Sequence, residues 1–400
     1  MKKIIFCIVT MIVCCNVSAS DHRRDVTNFR PKTVKEISNK SEINKYKCEH
    51  SGNSSDFTRG VWMWGSSIPD NDIQSVINIL SKNDINKVYL LVKGTAGTRI
   101  AENKLTDFIT KAHEKKIEVH LWYIINSDKA YVTANLNSCV YHCPKPSVSI
   151  KPYPANDEKV NLLYPGYKEY VSDNIRYFLE KFNCDGLHLD CIRYSSVVYS
   201  FDHYSLQKAA SLGCDTKRLL SFFDTDAKYE KNTAKNGLVD LYLNGDKDIV
   251  KWVEMRKRVI YDYISTAKEI VRQVKPGIRL SAAFMPEGAL DPGYGDVFYA
   301  QNYSLHSQLL DMISPMAYFK SFGKPTSWLQ AITEGAKKLV APGCEICTGI
   351  QASDDVSDKD MEEQIQNSLK GGSGGIIVFR YGSVNTDESW KIIKNSGFNK

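Results

Sequence analysis

The chain has 400 residues and a formal net charge of +6, with Lys and Arg scattered among Asp and Glu. So modest a charge, with no basic run interleaved with aromatic residues, argues against binding to nucleic acid. The 22 tyrosines and six tryptophans are more informative, because flat amphipathic rings suit the faces of sugars, although most such rings simply pack in cores.

The N-terminal segment has the pattern of a secretory signal peptide. A basic start at residues 1–3 precedes an apolar stretch at 4–13, which is too short to span a bilayer. Small residues at 17–19 predict cleavage after Ala19, so residues 1–19 form the signal peptide. A lipoprotein anchored at Cys14 or Cys15 is the alternative, although the preceding residues fit that motif poorly. No later segment offers about 18 uncharged apolar residues. We therefore expect no membrane span and a secreted, periplasmic or cell-surface protein.

Eight cysteines follow the predicted cleavage site. They are Cys48, Cys139, Cys143, Cys184, Cys191, Cys214, Cys344 and Cys347. An even number in an exported chain permits disulfides, although the sequence does not give their connectivity. Cys139 is expected to pair with Cys143 or Cys48. Cys344 and Cys347 have the spacing of a zinc or redox pair but lack a second pair or a nearby His, which favours a structural role.

The rest of the chain predicts an α/β barrel. Residues 20–58 are polar and lack periodicity, which predicts a flexible lead-in. Apolar runs then predict strands at 60–65, 87–93, 118–124, 186–190, 279–285, 312–318, 345–350 and 375–380. Amphipathic helix patterns lie between them. Eight buried strands alternating with helices predict a single (β/α)8 TIM barrel over residues 59–400. An open doubly wound sheet is the rival, but no Gly-rich phosphate loop follows the first strand.

Two connections in this barrel are unusually long. Residues 126–160 follow the third strand and residues 195–248 follow the fourth. Because both follow the carboxyl ends of strands, we expect them to form a rim on the catalytic face.

The fourth strand brings a carboxylate to its tip. Residues 185–194 read Asp-Gly-Leu-His-Leu-Asp-Cys-Ile-Arg-Tyr, and Asp190 ends the apolar run. Barrel enzymes place catalytic residues at such tips. A plain salt bridge between Asp190 and Arg193 is the alternative explanation.

This strand also resembles a known family. The stretch 160–194, with its Asp-Gly-x-His-x-Asp block ending in Arg193 and Tyr194, is similar to glycosyl hydrolase-like family 10. Further matches are the Trp252-x-x-x-Arg256 spacing and residues 60–62, 281–283 and 311–318. The sequence departs from the pattern at Cys191, where an aromatic or acid is usual, and at Ser195, where Pro is usual. The resemblance implies a barrel fold and glycosidase chemistry rather than a particular substrate.

Glycoside cleavage needs two carboxyl groups across the scissile bond. Asp190 is the first, and Glu287, directly after the fifth strand, is the best candidate for the second. A solvated loop acid is the alternative for Glu287. Asp354 and Asp355, after the seventh strand, are the next choices.

Polar and aromatic residues at the other strand tips are candidate substrate contacts. They are Trp64, Lys93, Trp122, Asn126, His188, Arg193, Tyr194, Tyr318, Gln351, Arg380 and Tyr381. The rings would stack on sugars, and the polar groups would bond hydroxyls. Each residue alone fits ordinary packing equally well, and His188 equally fits a satisfied core position.

No motif requires a metal or cofactor. Trp62-Met63-Trp64 stands where metal-dependent barrel hydrolases carry a His-x-His, and HExxH and GxSxG motifs are missing. The sequence therefore predicts an exported glycoside hydrolase that acts on a polysaccharide or glycoconjugate without a cofactor. The alternative is a non-catalytic carbohydrate-binding barrel. The sugar, the stereochemistry and the oligomeric state stay open.

Overall fold

The computed structural model describes residues 57–70, 72–155, 158–352 and 355–397. The predicted signal peptide, nearly all of the lead-in, Cys48 and Asp354 lie outside these residues.

Eight parallel strands close into a barrel. They are β1 (Thr58–Trp64), β2 (Lys87–Lys93), β3 (Glu118–Ile124), β4 (Gly186–Asp190), β5 (Arg279–Phe284), β6 (Met312–Pro315), β7 (Glu345–Gln351) and β8 (Gly375–Phe379). Each strand pairs with its neighbours in the sequence, and β8 pairs with β1. The predicted (β/α)8 barrel is confirmed and the open sheet is excluded. β6 is three residues shorter than predicted and ends at Pro315, which has no amide proton for the ladder.

Helices surround the barrel and fill its loops. They are α1 (Ile73–Lys82), α2 (Leu105–Glu114), α3 (Lys129–Ala134), α4 (Tyr167–Lys181), α5 (His203–Ser211), α6 (Thr216–Ser221), α7 (Asp226–Thr233), α8 (Gly237–Leu243), α9 (Lys247–Val274), α10 (Glu287–Leu290), α11 (Pro292–Tyr294), α12 (Tyr303–His306), α13 (Trp328–Leu339), α14 (Asp358–Lys370) and α15 (Asp387–Lys394). A π-helical turn spans Gly295–Tyr299, and short 3₁₀ turns span Gly65–Ser67 and Leu136–Ser138. Tyr141–His142 and Tyr153–Pro154 pair as a two-residue hairpin. Within the described residues, no helix is long and apolar enough to cross a bilayer.

The longest helix, α9, has clear start signals. The Asp246 side chain accepts hydrogen bonds from the amides of Asp248 and Ile249, which caps the exposed N–H groups of the first turn. Apolar residues then recur on one face of α9 and pack against the barrel, and α4 packs beside α9. The helix therefore runs from the rim down the full side of the barrel.

The inside of the barrel is packed with rings. The centroid of the Tyr89 ring lies 4.7 Å from that of His188 and 5.0 Å from that of His120. Gly186 makes room for this layer, because a Cβ there would lie only 2.1 Å from His120 Nδ1. Gly349 does the same for Trp62, whose Cη2 would be 2.9 Å from an added Cβ. This ring layer closes the barrel below its mouth.

The two long connections form one rim at the carboxyl ends of the strands, as predicted. The amide of Cys143 donates to the carbonyl of Val198 at 2.8 Å, and His142 bridges to Tyr199. The two segments also share a small core of their own, which consists of Cys143, Val198, Phe201, Phe223 and Tyr229. Asn126 Nδ2 donates to the Arg193 carbonyl at 2.8 Å, which joins this rim to the loop after Asp190.

The expected disulfides are not present among the seven cysteines that the structure describes. Cys139 Sγ instead faces the Leu136 carbonyl at 3.8 Å, at the end of a 3₁₀ turn. Cys184 and Cys191 flank β4 at its opposite ends, too far apart to pair with each other. Among the described residues, the rim is held by its own small core and by hydrogen bonds. The alternative pairing of Cys139 with Cys48 involves a residue outside them and stays a prediction.

Candidate active site

Asp190 lies at the mouth of the barrel with its carboxylate held by donors. Alternation along β4 turns Gly186, His188 and Asp190 inward, while Leu187 and Leu189 pack outward against the helices. The Trp122 indole N–H donates to Asp190 Oδ2 at 3.0 Å, and the Cys191 amide donates to Oδ1 at 2.6 Å. Only 7% of Asp190 is exposed, so these donors replace water around its two carboxyl oxygens.

Arg193 completes this arrangement. The backbone of Cys191 has φ +49°, which turns the chain sharply after β4 and brings the guanidinium back over the strand tip. Arg193 Nη1 lies 3.8 Å from Asp190 Oδ1, and both side chains are nearly buried. The predicted Asp190–Arg193 ion pair is therefore formed. Its formation does not exclude catalysis, because the pair lies at the mouth rather than at the barrel's base.

Glu287 begins α10, directly after β5, the strand that neighbours β4. The Tyr299 hydroxyl donates to Glu287 Oε1 at 3.1 Å. Burial raises the pKa of the Glu287 carboxyl, while a hydrogen bond from its own backbone, the Tyr299 hydrogen bond and the charges of Arg193 and Lys235 partly oppose that shift. Glu287 Oε2 is buried without a hydrogen-bond partner among the described residues. A partly buried carboxyl of this kind retains its proton to a higher pH than a solvated one.

Arg193 thus acts electrostatically on both candidate acids. It pairs with Asp190, and its charge lowers the pKa of Glu287. The structure brings Asp190, Arg193 and Glu287 to one end of the barrel, on adjacent βα connections.

Aromatic rings line the mouth around β1, β6 and β8. The Tyr318 ring centroid lies 5.2 Å from that of Phe379 and 6.4 Å from that of Trp62. The Trp122 centroid lies 6.5 Å from that of Phe379. Trp122 therefore connects this aromatic wall to Asp190.

Trp64 and Arg380 form a stacked pair at the ends of β1 and β8. The Arg380 Cζ lies 3.8 Å from the centroid of a Trp64 ring. Arg380 Nη1 also donates to the Tyr381 carbonyl at 3.0 Å, which fixes the plane of the guanidinium. Trp64 is only partly buried, so this pair presents both a ring and a cation near the rim.

Three predicted substrate contacts lie below the mouth instead. His188 is fully buried, where Trp62 Nε1 donates to its Nε2 at 3.2 Å and Ser281 Oγ lies 2.9 Å from its Nδ1. Burial lowers its pKa to about 3, so it is a neutral core residue. Alternation along β4 turns His188 inward, but alternation does not show how far below the mouth a side chain lies.

Lys93 and Tyr194 are also covered. Lys93 Nζ donates to the carbonyls of Ile124 and Ser127 and lies 3.1 Å from Asp128 Oδ2, and burial lowers its pKa to about 8. The Tyr194 ring packs in the outer core against Arg256, whose Cζ is 4.3 Å from its centroid. Both residues support the mouth from beneath.

The remaining candidates lie around the edge of the mouth. Asn126 donates to the Arg193 carbonyl and, at 3.1 Å, to Ser195 Oγ. Gln351 Oε1 accepts from the Ser321 amide at 3.4 Å. Tyr381 packs on Trp390 outside the barrel. Asp355, one of the alternative acids, is exposed.

Sequence reasoning missed Phe379 and Tyr299. Phe379 could have been found by parity, because it lies two residues after the inward Ile377 and pairs with Trp62 in the ladder. Tyr299 carries no such signal, because it meets Glu287 only through the folding of the loop between them.

Within the described ranges, no group of three or more His, Cys, Asp or Glu side chains is arranged to hold a metal ion. The chemistry available at the mouth is that of two carboxyl groups, a guanidinium and several rings.

The chain matches one known sequence family. A sequence model of the family described as glycosyl hydrolase-like 10 matches residues 97–365. The chain belongs to this family. The match includes Asp190, Arg193, Glu287 and Tyr299, and it confirms the family resemblance of the fourth strand. No curated protein matches the chain.

Solved structures share the fold of this glycosyl hydrolase-like 10 member. The glycoside hydrolase domain of PgaB (BpsB) from Bordetella bronchiseptica aligns with a TM-score of 0.65 and 12% identity, over 86% of this chain and 100% of that one. The catalytic domain of beta-amylase from Paenibacillus polymyxa aligns with a TM-score of 0.58 and 12% identity, over 85% and 97%. A beta-galactosidase from Marinomonas ef1 aligns with a TM-score of 0.53 and 10% identity, over 84% and 58%. At these identities the likeness establishes the barrel fold alone.

Proposed function

We propose that this protein is an exported glycoside hydrolase that cleaves glycosidic bonds of a polysaccharide or glycoconjugate. The observation that carries the proposal is the contrast between two acids on adjacent strands. Asp190 is surrounded by donors and a guanidinium, whereas Glu287 is held in a buried site where its pKa is raised. Glycoside hydrolases commonly use two carboxyl groups in contrasting surroundings, one protonated as the general acid and one ionised.

The two acids divide the work in the following way. Glu287 carries the proton and donates it to the departing glycosidic oxygen. Asp190 is ionised and faces the anomeric carbon, either as the nucleophile or as the base that activates water. Arg193 keeps Asp190 in place and screens its charge from Glu287.

The rings at the mouth provide the sugar-binding surface. Phe379 is partly exposed and gives this aromatic wall an accessible face, while Tyr318 and Trp122, which are 8% and 2% exposed, pack behind it. The Trp64–Arg380 pair adds a ring and hydrogen-bond donors further out. Rings stack on the apolar faces of pyranoses, and a guanidinium bonds their hydroxyls. Family membership and the glycoside hydrolase domain named in the PgaB structure support the same reaction class.

One observation favours the rival function, a non-catalytic carbohydrate-binding barrel. Glu287 Oε2 is buried in this conformation, so the acid must gain access to a glycosidic oxygen before it can act. A barrel that retained its aromatic mouth but not this movement would bind glycans without cleaving them.

Purified protein incubated with a panel of bacterial and plant polysaccharides and glycoconjugates separates the two functions. The proposal predicts new reducing ends from at least one glycan, and their loss in Glu287→Gln protein that melts at the wild-type temperature. Glycan binding without release of product at any pH between 4 and 9 would favour the binding barrel.

Export is tested separately by mass spectrometry of the protein released from producing cells. Cleavage after Ala19 predicts a mature chain that begins at Ser20. A chain that retains Met1, or one that begins at an acylated Cys14 or Cys15, would contradict this part of the proposal.

A further inference from the structure

Arg256 is a buried cation whose position is not explained by the acid pair alone. It lies on α9 and is fully buried, with its Cζ 4.0 Å from a Trp252 ring centroid and 4.3 Å from the Tyr194 centroid. Its hydrogen-bond acceptors are all backbone carbonyls. Burial lowers its pKa to about 9. Burying a guanidinium costs free energy of folding, and an apolar side chain at this position would not carry that cost.

The three acceptors belong to the two loops that carry the candidate acids. Arg256 Nη2 donates to the carbonyl of Ser196, six residues after Asp190, at 2.9 Å. Nη1 donates to the carbonyl of Val297 at 2.9 Å, and Nη2 also donates to that of Phe298 at 3.3 Å. One planar guanidinium therefore links the loop after β4 to the loop after β5.

Tyr299, the next residue along, carries this link to Glu287. Its hydroxyl donates to Glu287 Oε1, and its carbonyl accepts from the Tyr194 amide at 3.0 Å. The neighbouring Lys257 anchors the same turn through Asp296, at 2.9 Å. The π-helical turn Gly295–Tyr299 is thus fixed from α9 at three consecutive residues, Asp296, Val297 and Phe298.

We propose that Arg256 is a positioning residue that sets the geometry between Asp190 and Glu287 by bracing their two loops and seating Tyr299 on Glu287. This inference rests on the proposed function for its catalytic consequence, but the geometry can be tested without it. Gln301 connects the loop after β4 to β5, because its Nε2 donates to the carbonyls of Ile192 and Ala283. Since this second connection does not involve Arg256, we expect the barrel to stay closed when Arg256 is changed.

The first test measures Glu287 itself and needs no substrate. The charged and titratable groups around Glu287 are Tyr294, Tyr299, Tyr303, Arg193 and Lys235. Carbon-13 NMR of the Glu287 carboxyl, assigned by its loss in Glu287→Gln, gives its titration in the full chain. Arg256→Lys retains the charge but cannot reach all three carbonyls, so Tyr299 should leave Glu287 and the titration midpoint should move to higher pH. An unmoved or lowered midpoint would overturn the inference, whether or not the protein hydrolyses glycans.

The second test uses coupling between substitutions. If Arg256 acts through Tyr299, Arg256→Lys should shift the Glu287 titration midpoint clearly in the wild-type background but only slightly in a Tyr299→Phe background. The shifts caused by the two substitutions should therefore be far from additive. Fully additive shifts would show that Arg256 does not act through Tyr299.

The third test separates positioning from stability. With a cleavable glycan in hand, Arg256→Lys should lower kcat by about 10- to 100-fold and leave KM nearly unchanged, because Arg256 does not touch substrate. Lys268→Met is the matched control, since Lys268 is a buried cation on the same helix that pairs with Asp311 at the other end of the barrel. The control should lower the melting temperature without changing kcat or the Glu287 midpoint. Equal loss of kcat in both variants would mean that Arg256 is merely structural. Absence of any cleavable glycan would count against the proposed function and leave the NMR result to decide on Arg256.

Discussion

The neutral state of His188 makes a quantitative prediction about stability at acid pH. Its side chain is fully buried between Trp62 and Ser281, and burial lowers its pKa from 6.5 to about 3. Between these values the unfolded chain binds a proton that the native barrel does not. Stability therefore falls as the pH drops below about 6.5, which is the sign expected for a lowered pKa.

The magnitude follows from the two pKa values. At pH 7 the unfolded histidine is mostly neutral, and its protonation favours unfolding by only about 0.2 kcal/mol. At pH 5 the same term is about 2 kcal/mol, because the pH then lies about 1.5 units below the unfolded pKa and each unit is worth about 1.4 kcal/mol. The result hardly changes for any native pKa below about 4, so it does not depend on the size of the shift.

His188→Gln removes this titration while keeping a polar side chain of similar size. Urea unfolding at pH 7 and pH 5 should show that the wild-type protein loses about 2 kcal/mol more than the variant between these two pH values. His306→Gln should show the same difference, since burial also lowers the pKa of His306 to about 3. Equal losses of unfolding free energy in wild type and His188→Gln would show that His188 is not a buried neutral histidine. It would then again be a candidate substrate contact.

Two further predictions concern the acid pair. Tyr299→Phe removes a hydrogen bond that lowers the pKa of Glu287. The basic limb of the pH profile of kcat/KM should therefore move up by about one pH unit. An unchanged basic limb would show that Glu287 is not the catalytic acid. Trp122→Phe keeps an aromatic ring but removes the N–H that donates to Asp190, and it should lower kcat/KM by about 10- to 100-fold in protein that remains folded at the assay temperature. Wild-type turnover in Trp122→Phe would show that this hydrogen bond does not serve catalysis.

The barrel could be predicted from the sequence because its signals are local. Alternating apolar strands and amphipathic helices gave eight strands, and β2, β3 and β4 have the bounds that the pattern predicts. The end of β6 differs because Pro315 interrupts the ladder, a local cue that the apolar run through residue 318 obscured. The expected disulfides depended on pairing in space, which spacing alone does not give.

The candidate site was predictable only in part, for a related reason. Alternation along a strand turns Asp190, Trp122 and His188 to the inside of the barrel, but depth along the axis separates a core histidine from an acid at the mouth. Lys93 forms an ion pair with Asp128, which lies in the loop after β3, instead of facing the mouth. Tyr299 contacts Glu287, and Arg256 contacts the loops that carry the two acids, only through tertiary folding. No spacing in the sequence reports these contacts.

A single substitution decides whether Asp190 is catalytic. On the glycan that the wild-type protein cleaves best, kcat/KM of Asp190→Asn is compared with wild type, together with the melting temperatures of both proteins. We expect a fall of at least about a thousand-fold in protein that remains folded at the assay temperature, because barrel enzymes place catalytic acids at strand tips. The melting temperature should also fall, since the nearly buried Arg193 loses its ionic partner. Asp190→Asn protein that melts early but retains its turnover would instead mean that Asp190 and Arg193 form a purely structural ion pair.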